Sequence, residues 1–263
     1  SGNLAGAYGI AVTGDMVIST LLASFVFYEV WKWNSIKTVI FMAIFLIIDL
    51  AFFSANILKI PDGGWFPILI GTVIFILMTT WKKGRALLYK ILKGEAIEIN
   101  SFITSMGTNP PPRVEGTAIF LTPNPDGVPH ALLHNLKHNK VIHEKVIILT
   151  VMFMDYPHSL TKDLVTVEKL PYNFYKVTVK YGFKDEPDLP KDLALHAKNG
   201  INIDPMNSSY FIGKEILLAT PKENMNYWRK KLFIGLFRSA ETITNQFKLP
   251  PNRVVELGSQ VLF

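Results

Sequence analysis

Asp15 and Asp49 are the residues best placed to do chemistry in the first third of this 263-residue chain. Each is the one charge in an otherwise uncharged apolar run, Asp15 within Leu4–Tyr28 and Asp49 within Thr38–Leu58. A charged carboxylate in hydrocarbon costs at least about 2.5 kcal/mol, so such a group faces protein or water, or takes up a proton. That chemistry is the handling of cations and protons. For Asp15 two readings stand: a pathway carboxylate, or a neutral carboxyl bonded to a neighbouring helix. Small residues around it (Gly6, Ala7, Gly9, Ala11, Gly14) permit close helix packing. Thr13 and Tyr8 of the same segment complete the set of ion-pathway candidates. For Asp49 the packing reading is preferred, because its surroundings are bulky (Phe41, Phe45, Phe52, Phe53).

Further along, His130, His134 and His138 recur every fourth residue, with His143 nearby. Two histidines four apart share a helix face and can bind zinc. No third ligand or activating carboxylate accompanies them, so a polar helix face bonded to backbone is the preferred reading. Asn207-Ser208-Ser209 has the composition of a phosphate-binding turn, but more often such a triplet is a simple loop. No Gly-x-Gly-x-x-Gly, phosphate loop or Gly-x-Ser-x-Gly elbow is present, and no nucleophile–base pair is evident, so the chain does not read as an enzyme. Without cysteine it has no disulfide framework and no Cys-ligated metal.

The elements that must position these residues fall into two solvents. Residues 1–81 hold three basic and four acidic residues, whereas 82–263 hold 24 basic and 17 acidic. A membrane span needs about 20 mostly apolar residues. Three stretches qualify, at about 4–30, 37–58 and 63–81. A secretory signal does not fit the first, which lacks a basic leader. The chain opens on serine and its first span starts at once, which reads as a piece lacking its N-terminal part. Lys32 and Lys37 in one loop, and Lys82, Lys83, Arg85, Lys90 and Lys93 after the third span, fall on one side of the bilayer. The positive-inside bias makes that side cytoplasmic. Trp31, Trp33, Trp65 and Trp81 stand at the predicted span ends, where indoles favour the interface.

Residues 82–112 read as a connector. Apolar residues from Leu87 to Ile103 keep helical spacing behind a basic first two turns, which predicts an amphipathic helix. Gly107-Thr108-Asn109-Pro110-Pro111-Pro112 predicts a stiff, non-helical linker. The basic excess does not point to nucleic acid, since the lysines follow a span and no basic–aromatic interleaving appears. Residues 113–263 alternate strand and helix and predict an α/β domain with a mixed sheet. The strands are expected at 117–122, 145–154, 164–170, 174–183, 208–220 and 253–261. Helices are expected at 129–140, 189–198 (stopped by Asn199-Gly200) and, as one long element, 225–247.

Six ordered blocks carry a resemblance. They are Ala7–Gly14 (Ala-Tyr-Gly-Ile-Ala-Val-Thr-Gly), Phe52–Pro67, Gly116–Thr122, Leu132–Glu144, Phe174–Phe183 and Arg253–Gly258. In this order and spacing the chain resembles the C-terminal part of a bacterial Kup-type potassium uptake transporter, over essentially its whole length. The terminal Val261-Leu262-Phe263 departs from that pattern in being apolar and reads as foreign to the domain. The resemblance implies a twelve-span protein of the amino acid–polyamine–cation superfamily with a LeuT-like fold, importing K⁺ with H⁺ at low affinity. It implies that the spans here are the last three, completed by N-terminal helices outside this chain, with the central cation site mainly among those. It makes Asp15 a gate or pathway carboxylate. It implies an inner-membrane location, a cytoplasmic domain at 82–263, homodimerisation, and no cofactor besides the transported ions. Cyclic di-AMP enters as a regulatory ligand of such domains, but no motif carries it to named residues. The alternative is a regulatory or dimerisation module built on a nucleotide-sensing α/β domain.

Overall fold

The structure is a computed structural model that describes residues 2–94, 97–160, 164–196, 201, 203, 204, 207–221, 225–240 and 243–263. The chain divides into two compact units, Ser1–Thr80 and Trp81–Phe263.

The first unit is helical. Helix α1 (Gly2–Phe25) runs into a π-helical turn at Val26–Val30, and α2 covers Ser35–Ile57. Asn34 caps α2, its side-chain oxygen accepting the Ile36 N–H at 3.0 Å. A turn at Ile60–Gly64 leads into α3, Trp65–Gly94. Gly63 takes φ +114° there, a left-handed conformation open to glycine, against the backbone of Asn3. On α1, a Cβ at Gly6 would stand 2.9 Å from the Asp62 carbonyl oxygen, so the missing side chain is what lets α1 and this turn touch. Three helices are long and apolar enough to cross a membrane: Gly2–Val30, Ser35–Ile57 and Ile60–Gly94. Their large apolar side chains point outward (Leu22, Phe25, Ile47, Phe75), as a lipid-facing surface requires.

The second unit is an α/β domain on a six-stranded sheet in the order β3-β4-β2-β1-β5-β6. The strands are β1 (Arg113–Leu121), β2 (Ile142–Met154), β3 (Val165–Leu170), β4 (Phe174–Gly182), β5 (Ser208–Leu218) and β6 (Val254–Leu262). All neighbours are parallel except the β3–β4 hairpin. The sheet is therefore mixed, as its sequence pattern predicts. Side chains alternate between two cores. Ala118, Phe120, Val146 and Ile148 pack under α4 (Ile99–Thr108) and α5 (His130–Asn139). Ile119, Ile147, Leu149 and Val177 pack on the opposite face with Leu189 and Leu193 of α6 (Leu189–His196). A third cluster joins Leu88 of α3 to Leu217, Phe233 of α7 (Tyr227–Arg238), Val261 and Phe263.

Several sequence expectations change. No helix boundary marks the expected end of the third span, because α3 continues unbroken from Trp65 to Gly94. Trp81 lies within α3, its ring 5.6 Å from that of Phe233. The amphipathic segment is not one helix to Ile103, since α3 ends at Gly94 and α4 begins at Ile99. Ile97 and Ile99 are held by backbone bonds to Val128 and Asp126, which no local periodicity encodes. Gly107 and Thr108 are helical, not linker. The Tyr172 side chain occupies the space a Cβ at Gly107 would need, so glycine here serves packing. The expected long helix 225–247 is broken into α7 and a short α8 (Ile243–Gln246). Phe233 packs in the third cluster and Phe247 in the core with α6, and a straight helix cannot serve both. Val261 and Phe263 are 7% and 2% exposed, so the chain's last residues belong to the core and are not foreign to it. The expected stop at Asn199-Gly200 lies outside the described residues.

Candidate functional site

Helix α1 presents its polar candidates on different faces. Tyr8 and Asp15 are seven residues apart, nearly two turns, and both are exposed. Thr13 is buried, and its hydroxyl donates to the Gly9 carbonyl at 2.7 Å, so its hydrogen-bonding capacity is spent within its own helix. Among the described residues Asp15 makes no hydrogen bond or ion pair. Asp49, on α2, is 6% exposed and accepts a hydrogen bond from the Thr20 hydroxyl of α1 at 2.5 Å. The structure thus brings Asp49 into a helix–helix contact and leaves Asp15 on an outward face. Thr20 was not among the sequence candidates. Its signal was its place seven residues beyond Thr13, on the stripe of α1 that meets α2.

Below this pair α1 and α2 enclose a groove of about 550 Å³. Its hydroxyl groups come from Thr20, Ser24, Tyr28, Ser35 and Thr38, and the rest is apolar. The groove extends toward the 26–34 turn, where Phe27 and Trp33 stack at 4.8 Å and Lys32 lies 3.6 Å from Glu29. Chemically the arrangement is a buried, hydrogen-bonded carboxyl beside a file of hydroxyls, plus a second carboxylate open to its surroundings.

In the α/β domain the histidines do not converge. The His134 and His138 rings lie 5.8 Å apart on α5, whereas His143 is on β2 with its ring 5.7 Å from that of Phe211. Burial pushes the His143 imidazole below its ordinary pKa, and its Nδ1 is buried without a partner. Among the described residues no group of three or more His, Cys, Asp or Glu is placed to hold a metal ion. Ser208 starts β5, and its hydroxyl donates to the Asp204 carbonyl at 2.7 Å, so it is committed to the strand entry. Asp185 is the domain's most heavily bonded carboxylate. It accepts from the Ser159 N–H and hydroxyl, the Gly182 N–H and the His158 ring, at 2.7 to 2.9 Å. The Ser159 hydroxyl bonds Asp185, not His158, so this is a loop clamp rather than a nucleophilic triad.

Lipid-length helices carrying carboxylates, followed by an α/β domain, define an integral membrane protein with a second, α/β domain. The comparisons narrow the class. Residues 1–86 match the integral membrane domain of K⁺ potassium transporters, and residues 115–263 match the K⁺ potassium transporter C-terminal domain. The chain belongs to this potassium transporter family. It is 53% identical over 262 residues to the "Probable potassium transport system protein Kup 1" of Dechloromonas aromatica, covering 100% of this chain and 42% of that protein. It is 52% identical over 261 residues to the Kup protein of an Azoarcus species, covering 99% of this chain and 41% of that one. The chain therefore spans about two-fifths of the length of the curated relatives it matches.

Proposed function

We propose that this chain serves potassium uptake as part of a transporter of its relatives' length, importing K⁺ together with H⁺ at low affinity. The supporting observation is the match of residues 1–86 to the membrane domain of K⁺ transporters, on helices that leave the Asp15 carboxylate without a hydrogen bond or ion pair among the described residues. An unpaired carboxylate in a membrane helix is tolerated where it meets water, another protein segment or a proton. Asp15 is proposed as the pathway carboxylate, with Tyr8 on the same helix face, and Asp49 as a packing group. The remaining helices of an inverted-repeat core would supply the cation site, at the midplane where broken helices expose carbonyls. Residues 1–81 are proposed to lie in the bacterial inner membrane, with 82–263 in the cytoplasm and a second copy as the domain's partner. Expression of the relatives-length protein in a strain deficient in K⁺ uptake tests the reading. Growth at low K⁺ is expected, and absence of growth despite good expression would overturn it.

A further inference from the structure

The α/β domain has a cavity of about 310 Å³ at the carboxyl ends of its central strands. Strand β1 lies between β2 and β5. The chain leaves it toward β2 through α5 on one face and reaches β5 on its other side after α6 on the opposite face. Between β1 and β5 the strand order reverses, and parallel α/β sheets leave a ligand-sized crevice outside the strand ends at such a switch point. The cavity is lined there by Leu121, Thr122, Ile212 and Gly213. Its floor is apolar, with Leu149, Val151 and Phe247 from the sheet and the 243–249 segment. Its lip carries Arg85 and Lys93 from α3, and His130 from the first turn of α5.

Lys93 Nζ lies 6.0 Å from the centre of the Tyr89 ring, and Arg85 and His130 interact electrostatically with Glu215. Among the described residues neither Arg85 nor Lys93 makes an ion pair, and His130 Nε2 is buried without a hydrogen-bond partner. Glu215 is the one acidic side chain in the lining. Burial holds its carboxyl above the usual carboxylate range, while His130 and Arg85 act in the opposite direction. At Gly213 the space is open: a Cβ would meet nothing closer than Glu215 Oε1 at 3.9 Å. A lip whose Arg85 and Lys93 make no ion pair among the described residues, over an apolar floor, rejects a free metal cation. It suits an anion that also has an apolar body to bury.

We infer that this switch-point cavity binds a small organic anion, one phosphate or carboxylate group on a compact apolar or aromatic body, held by Arg85, Lys93 and His130 over the Leu149–Val151 floor. Calorimetric titration of the full chain in non-ionic detergent tests this with phenyl phosphate as probe. Inorganic phosphate supplies the anion alone and benzyl alcohol the body alone. Phenyl phosphate should bind at least about tenfold more tightly than either. Arg85→Gln, at an exposed position, should weaken it by about tenfold. Gly213→Leu should abolish it by filling the open space beside Glu215, with the unfolding temperature of both variants retained. Equal affinity for inorganic phosphate, no saturation by about 10 mM phenyl phosphate, or full binding by Gly213→Leu would each overturn the inference. Tighter binding of dihexanoyl phosphatidic acid than of phenyl phosphate would overturn it in favour of a lipid.

Discussion

Asp15 and Asp49 are the same residue type under two different constraints. Asp49 has a donor, Thr20, and is 6% exposed. Asp15 has none among the described residues. In the relatives-length protein, Asp15→Asn is expected to weaken proton-coupled K⁺ uptake without loss of expression. Unchanged uptake across a pH series would assign Asp15 to packing instead. Thr20→Val removes the donor to Asp49 and should lower stability by about 0.6–2 kcal/mol, the range for hydrogen bonds between membrane helices. Thr20→Ser should restore it, and thermal unfolding in detergent reads both. Outside the membrane segments, the bonds to Asp185 hold its carboxyl well below the usual range, with the Ser159 N–H foremost. A value lowered by folding stabilises the fold above the unfolded pKa of about 3.9, and that stabilisation is lost as pH falls through the folded value. Asp185→Ala is therefore expected to cost about 1 kcal/mol at neutral pH, since it strands the part-buried Ser159 and Gly182 N–H donors. The gap from the unsubstituted chain should close as acid is added, and a gap independent of pH would show that packing, not the carboxylate, holds the 157–159 loop.

At the scale of elements, what was legible in the sequence was what local periodicity encodes. The strand at Lys145–Met154 shows as a continuous apolar run, and the structure places it at the sheet centre, extended back to Ile142 by pairing with Arg113. The hairpin around Pro171-Tyr172-Asn173 was legible because proline and asparagine favour a turn, and Tyr172 and Asn173 both take positive φ there. What was not legible depends on distant partners. The break after Arg238 exists because Phe233 and Phe247 answer to different cores, and the pause at 97–98 because the 126–128 loop bonds to it. Thr20 escaped notice for the same reason, since its role needs α2 beside it. The contact between α1 and the 60–64 turn depends on Gly6. Gly6→Leu forces the Asp62 backbone away and should destabilise the helical unit by about 1–3 kcal/mol, as overpacking does. Gly71→Leu, where nothing lies within 4 Å, is the control and should leave the unfolding temperature unchanged.

Over the whole molecule, charge separates the two units more sharply than any loop does. Residues 1–81 contain seven charged side chains and the remaining 182 residues contain 41. The few lysines of the first group are informative because they are few: Lys32 lies between α1 and α2, Lys37 in the first turn of α2 and Lys59 before the 60–64 turn, while beyond this group Lys82 to Lys93 lie on the second half of α3. Three successive spans put the 31–37 loop and the residues after the third span on one side, and the 59–64 turn on the other. We propose from the lysine bias that the first side faces the cytoplasm. The chain contains no cysteine, so single cysteines report this without background. In intact cells carrying the relatives-length protein with its other cysteines removed, Asp62→Cys should react with a membrane-impermeant maleimide. Lys37→Cys and Glu144→Cys should react only after the membrane is opened. Labelling of Glu144→Cys in intact cells would invert the assignment. It would place the α/β domain, with its Arg85, Lys93 and His130, where cytoplasmic anions cannot reach it.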